Sequence, residues 1–157
     1  MARIFKAAAG DAETVLDITR RTIRAVYPHY YPAGAVDFFL NHHSIGKICR
    51  DTDNGNVWLI TADDGVCAGT VTVNDNEINR LFVLPEYQGN GLGRMLLDHA
   101  ESIIAENYDA ITLSASLPAK MIYQKRGYSE EGYFIIDTDG GDKLCYDMMT
   151  KKLKIRK

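Results

Sequence analysis

The pattern of apolar and polar positions is clearest between Glu77 and Glu106. The first part carries Ile78, Phe82 and Val83, residues that favour a strand, and a proline at position 85 ends it. The last part repeats apolar residues at helical spacing, namely Leu92, Met95, Leu96, Ala100, Ile103 and Ile104. The pattern predicts a strand, a turn with glycines at positions 89, 91 and 93, and an amphipathic helix.

Shorter patterns predict the remaining elements. Strands are expected over residues 3–8, 57–61, 66–73, 110–115, 128–137 and 143–150, and helices over 11–27, 33–40 and 118–125. Asp11 and Ser44 stand at positions that favour helix caps. Three successive strands with short turns predict an antiparallel meander, whereas the strand, helix and strand of 77–115 predict a right-handed crossover. The predicted fold class is therefore α+β, with a mixed, mostly antiparallel sheet.

Length and composition suit a single domain over residues 1–157. Hydrophobic residues make up 46% of the chain and charged residues 25%, as in ordinary globular proteins. The net charge of −3 offers no basic face for nucleic acid, and we interpret the basic segment 151–157 as a solvated tail. No segment approaches the length of a membrane span, so neither nucleic acid nor a membrane is an expected partner.

Cysteine usage predicts a reducing compartment. Cys49, Cys67 and Cys145 are widely spaced and form no Cys-x-x-Cys pair, so free buried thiols are expected. The first residues contain no apolar run of signal-peptide length. We therefore expect a cytoplasmic protein.

Two weak metal patterns are set aside. Segment 51–56 begins like a calcium loop, but Ala62 stands where the closing glutamate belongs, which favours a plain loop. His42 and His43 are adjacent and have no third ligand nearby in sequence, so we interpret them as helix-end histidines, with a metal as the other reading. No metal site is predicted.

The glycine turn at the start of the central helix predicts an anion site. The first N–H groups of a helix have no partner within the helix, and the helix dipole adds about half a positive charge there. Glycines let the backbone approach a ligand closely. A phosphate or diphosphate therefore fits at residues 89–94. Arg94, a cation in the first turn, favours a bound anion, although a solvated side chain is the other interpretation.

Spacing excludes two familiar phosphate loops. A P-loop ends in Gly-Lys-Ser/Thr, but Gly93 is followed by Arg94 and Met95. A dinucleotide fingerprint requires G-x-G-x-x-G, which fails whether it is started from Gly89 or from Gly91. What remains is Gln-x-x-Gly-x-Gly at positions 88–93, after a strand that ends Leu-Phe-Val-Leu-Pro.

This arrangement resembles the acetyl-CoA loop of the GNAT superfamily of N-acetyltransferases, in which Gln/Arg-x-x-Gly-x-Gly/Ala follows such a strand. Segment 119–128 is similar to the family's second CoA element, through Ala119, Tyr123 and the closing Gly127-Tyr128. The two elements span residues 77–128, about a third of the chain. The family often carries an asparagine seven residues before this tyrosine, and Ser116 stands there instead.

The resemblance implies a GNAT-like sheet of six to seven strands with helices on both faces, and acetyl-CoA as co-substrate. It also implies acetyl transfer to a primary amine by direct attack in a ternary complex. The implied cofactor-binding residues are Leu81, Phe82, Val83, Gln88, Gly89, Asn90, Gly91, Leu92, Gly93, Arg94 and Ser116.

Acetyl transfer from a thioester to an amine requires a deprotonated amine, a polarised carbonyl and a proton for the leaving thiolate. Backbone N–H groups near Val83 are expected to polarise the carbonyl. Tyr123 matches the family's acid and is the predicted proton donor, with a core aromatic as the alternative. Glu77 matches a catalytic glutamate of some family members and is the predicted base. A solvent-exposed glutamate and a water chain are the alternatives.

Strand alternation adds a geometric expectation. Glu77, Asn79, Leu81 and Val83 are expected to share one face of the strand, whereas Arg80 faces the other way as a structural or surface residue.

The aromatic segment 27–32 is the predicted substrate-binding region. It contains Tyr27, Tyr30 and Tyr31 and is rigidified by two prolines, and in a GNAT-like fold this segment borders the acceptor. Packing of the helix junction is the alternative role. The acceptor, a small-molecule or peptide amine, is not identified by the sequence, and a homodimer is one possible assembly. A non-catalytic acyl-CoA sensor and a different phosphate ligand, such as a nucleotide, are the competing functions.

Overall fold

A computed structural model, which describes residues 1–153, contains seven strands and five α-helices in that part of the chain. The strands are β1 (Arg3–Lys6), β2 (Val57–Thr61), β3 (Cys67–Asn74), β4 (Glu77–Val83), β5 (Ala110–Ala115), β6 (Ser129–Asp137) and β7 (Lys143–Lys152). The helices are α1 (Ala12–Val26), α2 (Ala33–His42), α3 (Ile45–Asp53), α4 (Leu92–Ile104) and α5 (Lys120–Lys125).

The strands form one sheet in the order β1-β2-β3-β4-β5-β7-β6. Neighbouring strands are antiparallel except for β4 and β5, which are parallel and joined through α4. The predicted α+β class and the mixed, mostly antiparallel sheet are confirmed.

Helices cover both faces of the sheet because strand side chains alternate between two apolar clusters. Under α1, α2 and α3, the core includes Val15, Ile18, Ile23, Ala35, Ile48, Val57 and Leu59. Under α4 and α5, it includes Val71, Leu96, Ala100, Ile104, Ile111 and Tyr123. The site described below lies where the sheet opens between these two layers.

Several element ends differ from the sequence expectations. Asp11 directly precedes α1, but its carboxylate accepts a hydrogen bond from the Ala8 N–H (2.8 Å) and does not cap the helix. Ser44 caps α3 as expected, accepting from the Lys47 N–H at 3.3 Å. Residues 151–152 of the expected basic tail belong to β7, and Lys151 Nζ lies 3.1 Å from a carboxylate of α4. Residues 154–157 of that tail lie outside the described residues.

Within residues 1–153, no helix is long and apolar enough to cross a membrane, and no group of three or more His, Cys, Asp or Glu is placed to hold a metal ion. Cys49, Cys67 and Cys145 are free thiols as expected, but each is half-buried and not fully buried.

A bulge interrupts β4 at its middle. Thr72 pairs with Asn79 and Thr70 pairs with Phe82, so two steps along β3 oppose three along β4. Arg80 takes up the extra residue with a φ of 47°, a value uncommon outside glycine.

The bulge corrects the expectation that four residues of β4 share one face. An extra residue reverses the alternation of side chains beyond it. Glu77 and Asn79 therefore lie on the face covered by α1–α3, whereas Leu81 and Val83 pack in the cluster under α4. Arg80 was expected to face away from Glu77, but it reaches Asp51 of α3 and so lies on the same face.

Candidate active site

The sheet opens between its two parallel strands. Pairing of β4 with β5 covers only Glu77↔Thr112 and Ile78↔Leu113 in the described chain, and the strands separate beyond that point. A cavity of about 1020 Å³ occupies this wedge-shaped opening, and residues from both faces of the sheet line it. Glu77 stands at the closed end of the wedge and the glycine turn at the open end, separated by about 20 Å of strand. The shape suits a long, extended ligand arm.

The main chain at the end of β4 directs polar groups into the wedge. The Leu84 N–H donates to the Ala68 carbonyl of β3 (2.8 Å), so alternation turns the N–H and C=O of Val83 the other way. The Val83 carbonyl accepts from Gln88 Nε2 at 2.9 Å and from Thr22 Oγ1 at 3.4 Å. Its N–H faces the side on which β5 has moved away, and is thus available to a ligand.

The glycine turn presents bare backbone to the cavity. Gly89 and Gly91 have φ values of 83° and 82°, and a Cβ added to either would meet no heavy atom within 4 Å. The first hydrogen bond of α4 runs from the Met95 N–H to the Gly91 carbonyl (3.0 Å), so the N–H groups of residues 92–94 precede the helix's own ladder. The sequence predicts an anion site at these N–H groups, which the structure leaves without partners in the helix ladder.

Side chains from three elements fix this turn. Tyr87 donates to Asp64 at 2.7 Å, and Glu86 pairs with Arg21 of α1 at 2.6 Å. Asn90 Nδ2 donates to the Tyr87 carbonyl at 3.3 Å, and Asn90 is outside the cavity lining. The other predicted cofactor-binding residues all line the cavity, namely Leu81, Phe82, Val83, Gln88, Gly89, Gly91, Leu92, Gly93, Arg94 and Ser116.

Tyr123 of α5 lies in the cavity wall and is otherwise buried. Its ring packs edge-on against Tyr128, with centroids 5.5 Å apart. Burial raises the pKa of Tyr123, and the nearby Tyr27 adds to the rise. The phenol therefore stays protonated at neutral pH, which a proton donor requires.

Ser116 lies at the turn that leads from β5 into α5. Its carbonyl accepts from the N–H groups of Ala119 and Lys120, both at 3.1 Å. Its side chain lines the cavity together with Tyr27. Burial raises the pKa of Tyr27, and the nearby Ser116 partly offsets the rise. Ser116, Tyr27 and Tyr123 are thus brought to one region of the wedge.

A chain of side-chain amides holds Glu77. Its Oε1 accepts from Asn79 Nδ2 (2.7 Å), Asn79 Oδ1 accepts from Asn74 Nδ2 (2.8 Å), and Asn74 Oδ1 accepts from Asn56 Nδ2 (2.8 Å). The chain crosses from the end of α3 through β3 to β4. Sequence reasoning noted Asn79 only as a neighbour on the strand, and the Glu-x-Asn spacing was the signal available for its contact with Glu77.

Arg80 is structural, one of the two roles expected for it. The residue is only 9% exposed, and its guanidinium is paired with Asp51 and donates to Thr72 Oγ1 at 3.0 Å. This ion pair connects the bulge of β4 to α3. The Asp51 carboxylate neutralises the Arg80 cation, which lines the cavity.

The three tyrosines predicted to bind substrate are placed differently. Tyr27 lines the cavity. Tyr31 is buried: its hydroxyl accepts from the Leu117 N–H (2.7 Å) and donates to the Cys145 carbonyl (3.3 Å), and burial raises its pKa to about 12. Tyr30 is 52% exposed and outside the cavity lining. Tyr31 therefore serves the packing role that was the alternative.

Sequence reasoning missed the aromatic side chains that α2 contributes to the cavity. Phe38, Phe39, His42 and His43 all line it. Burial, and next Arg80, lower the pKa of His43 to about 3, so this ring is neutral at physiological pH. The two histidines close α2, as predicted, and the periodic Val-Asp-Phe-Phe-Leu pattern before them was the available signal.

Comparison with known proteins agrees with this geometry. The family model described as an acetyltransferase (GNAT) domain matches residues 26–135. The chain is 22% identical over 143 residues to the peptidyl-lysine N-acetyltransferase YjaB of Salmonella typhimurium, covering 89% of this chain and 92% of the relative.

Solved structures share the fold. A GCN5-related N-acetyltransferase from Rhodopseudomonas palustris superposes with a TM-score of 0.88 at 22% identity, covering 98% of this chain and 96% of the other. The PaiA N-acetyltransferase of Thermoplasma acidophilum, solved in complex with coenzyme A, gives a TM-score of 0.73 at 23% identity, covering 97% and 99%. The chain belongs to the GNAT family of acetyltransferases, acyltransferases for which acetyl-CoA is the co-substrate.

Proposed function

We propose that this protein transfers an acetyl group from acetyl-CoA to a primary amine by direct attack in a ternary complex. The observation that carries the proposal is the wedge between β4 and β5, which has an anion site at its open end and a carboxylate at its closed end. Such a wedge holds a phosphate-bearing coenzyme lengthwise and brings its far end to the carboxylate.

The residues present fit this coenzyme. The N–H groups of residues 89–94 would hold its diphosphate, and the Val83 N–H would hold a carbonyl of its extended arm. Ser116, on the opposite wall, supplies a hydroxyl where relatives often have an asparagine. Bound there, acetyl-CoA supplies the acetyl thioester.

Two side chains would move the protons. Glu77 accepts one proton from the substrate ammonium, because an ammonium ion has no lone pair for attack. A C–N bond then forms to the acetyl carbon as the C–S bond breaks. Tyr123 donates its phenolic proton to the departing sulfur. The second proton lost by the nitrogen restores the phenol through solvent, and Glu77 releases its proton to solvent. Asn79 holds Glu77 in position and acts on the reaction only through it.

The cellular setting is proposed on chemical grounds. Three free thiols suit a reducing cytoplasm. The relative in Salmonella typhimurium is described as acting on peptidyl-lysine, so peptide amines belong among the acceptors to be tested beside small molecules.

The test is thiol release from acetyl-CoA across a panel of amines, paired with calorimetry of CoA and ATP. Tight binding of CoA, weak binding of ATP and amine-dependent thiol release are expected. CoA binding without turnover on any amine would favour a non-catalytic acyl-CoA sensor. Preference for ATP would point to a nucleotide ligand and would refute the assignment of the glycine turn.

A further inference from the structure

The part of the cavity lined by Glu77 and by residues of α1–α3 is called the acceptor side. It combines the Glu77 carboxylate with a continuous wall of aromatic rings. We propose that the acceptor is a small primary amine that carries a single positive charge and an aromatic substituent. The proposal rests on the acetyl-transfer function proposed above and adds the substrate class.

The aromatic wall runs unbroken along the face covered by α1 and α2. The ring of Tyr27 lies 4.7 Å from that of Phe39 and 6.4 Å from that of Phe82, and the His43 ring lies 5.6 Å from Phe82, centroid to centroid. Phe38 continues the wall, 6.4 Å from Phe39. Rings at these distances present apolar surface and edges that suit another aromatic ring.

The histidines of this wall add no charge at neutral pH. Burial is the main reason that the pKa of His43 falls to about 3 and that of His42 is also lowered. The wall therefore contributes shape and apolar surface, and leaves charge recognition to other residues.

Charge in the cavity limits the acceptor to one ammonium group. Among the described residues that line it, Glu77 is the one acidic side chain. Of the cations, Arg80 and Arg126 are paired with carboxylates, and Arg94 and Lys125 belong to α4 and α5 on the cofactor side. The acceptor side retains Lys47 of α3, whose Nζ lies 3.4 Å from His42 Nδ1. A second ammonium group, as in a polyamine, would thus be repelled by Lys47 and would find no second carboxylate to pair with.

The first experiment compares kcat/KM for 2-phenylethylamine, ethylamine, spermidine and a lysine peptide at saturating acetyl-CoA. The aromatic monoamine is expected to exceed ethylamine and spermidine by about 100-fold. If spermidine or the peptide is the best acceptor, the inference fails while acetyl transfer stands. If the protein binds CoA and acetylates none of the amines, the proposed function fails, and this inference with it.

The second experiment changes charge on the acceptor side. Lys47→Glu adds a second carboxylate and is expected to raise the ratio of kcat/KM for spermidine to that for 2-phenylethylamine by about tenfold. Arg50→Glu is the matched control, because Arg50 is an exposed residue of the same helix and is outside the cavity lining. A ratio that stays the same in Lys47→Glu, or that rises equally in Arg50→Glu, overturns the charge argument.

Discussion

Three tyrosines near the wedge differ in what their hydroxyl groups contact, and this decides their roles. Tyr31 bonds two backbone groups, and Tyr128 donates to Glu101 at 2.9 Å. For Tyr123, burial and Tyr27 raise the pKa, and no hydrogen bond to a described residue contributes. A hydroxyl that is protonated, lines a cavity and is not engaged elsewhere is suited to donate a proton to a substrate.

Tyr123→Phe is expected to lower kcat by about 100-fold while leaving CoA affinity nearly unchanged. The reason is that the phenyl ring keeps the packing against Tyr128 and loses only the proton donor. Turnover by thiol release and CoA binding by calorimetry give the two readouts. Tyr128→Phe is the control: it loses the bond to Glu101, which should reduce stability and leave kcat within a few fold. Equal activity of Tyr123→Phe and wild type would remove the acid from the mechanism.

Asn79→Asp tests whether Glu77 is the base and Asn79 its positioning residue. The change replaces an amide donor, 2.7 Å from the Glu77 carboxylate, with a second carboxylate. Because two adjacent carboxylates do not ionise readily together, the acidic limb of the pH profile of kcat/KM is expected to move upward by about one pH unit. Asn54→Asp is the control, since Asn54 is exposed and outside the cavity lining. An acidic limb that does not move in Asn79→Asp would favour a water chain as the base.

Helices, strands and turns that depend on a local sequence pattern could be predicted. Features that depend on how strands pair could not. Strand 110–115 has the predicted bounds, Ala110–Ala115, because its apolar run and flanking turn are local features. The glycine turn could also be predicted, because a strand end and a helix start flank it. The bulge at Arg80 could not, since the residues around it continue the period of two and only pairing with β3 shows the extra residue.

The same distinction applies to the site. The chain of amides that leads to Glu77 forms because β3 and β4 lie beside the end of α3. No local sequence pattern predicts this arrangement. Likewise, the side chains of Phe38 and His43 reach the cavity only because α2 packs over the end of β4, a tertiary event.

Gly91→Val tests the turn as an anion site. The variant is expected to lower CoA affinity by at least about 100-fold, because valine strains a φ of 82° and its side chain enters the open side of the turn. Gly141→Val is a matched control: Gly141 has a φ of 82°, meets no heavy atom within 4 Å, and lies in the turn between β6 and β7. It should suffer similar strain and keep CoA affinity, as measured by calorimetry. Equal CoA affinity in a folded Gly91→Val protein would exclude the turn as the phosphate site.

Across the whole molecule, the cavity is the consequence of strand order. β7 enters the sheet between β5 and β6, and pairs with β5 along all six of its residues. That pairing holds β5 on one side of the wedge, while β3 holds β4 on the other. Both faces are packed with helices, so the gap between β4 and β5 becomes a cavity whose wall includes the largely buried, neutral ring of His43.

This enclosure predicts how stability depends on pH. The pKa of His43 is lowered to about 3, mainly by burial and then by Arg80, with smaller effects of His42 and Lys47. An unfolded chain takes up a proton at this histidine below about pH 6.5, and the folded chain does not. The titration of His43 therefore leaves the free energy of unfolding unchanged above pH 6.5, and decreases it progressively as the pH falls from 6.5 toward 3.

His43→Phe should remove this dependence while keeping an aromatic ring against Phe82. Between pH 6.5 and 4.5, wild type is expected to lose about 2 kcal/mol more free energy of unfolding than the variant. Urea unfolding at both pH values measures the difference, and because His42 is present in both proteins, the comparison isolates one histidine. Wild type and variant losing stability in parallel would mean that His43 is protonated in the folded protein, and the cavity wall beside Phe82 would then be wet and charged.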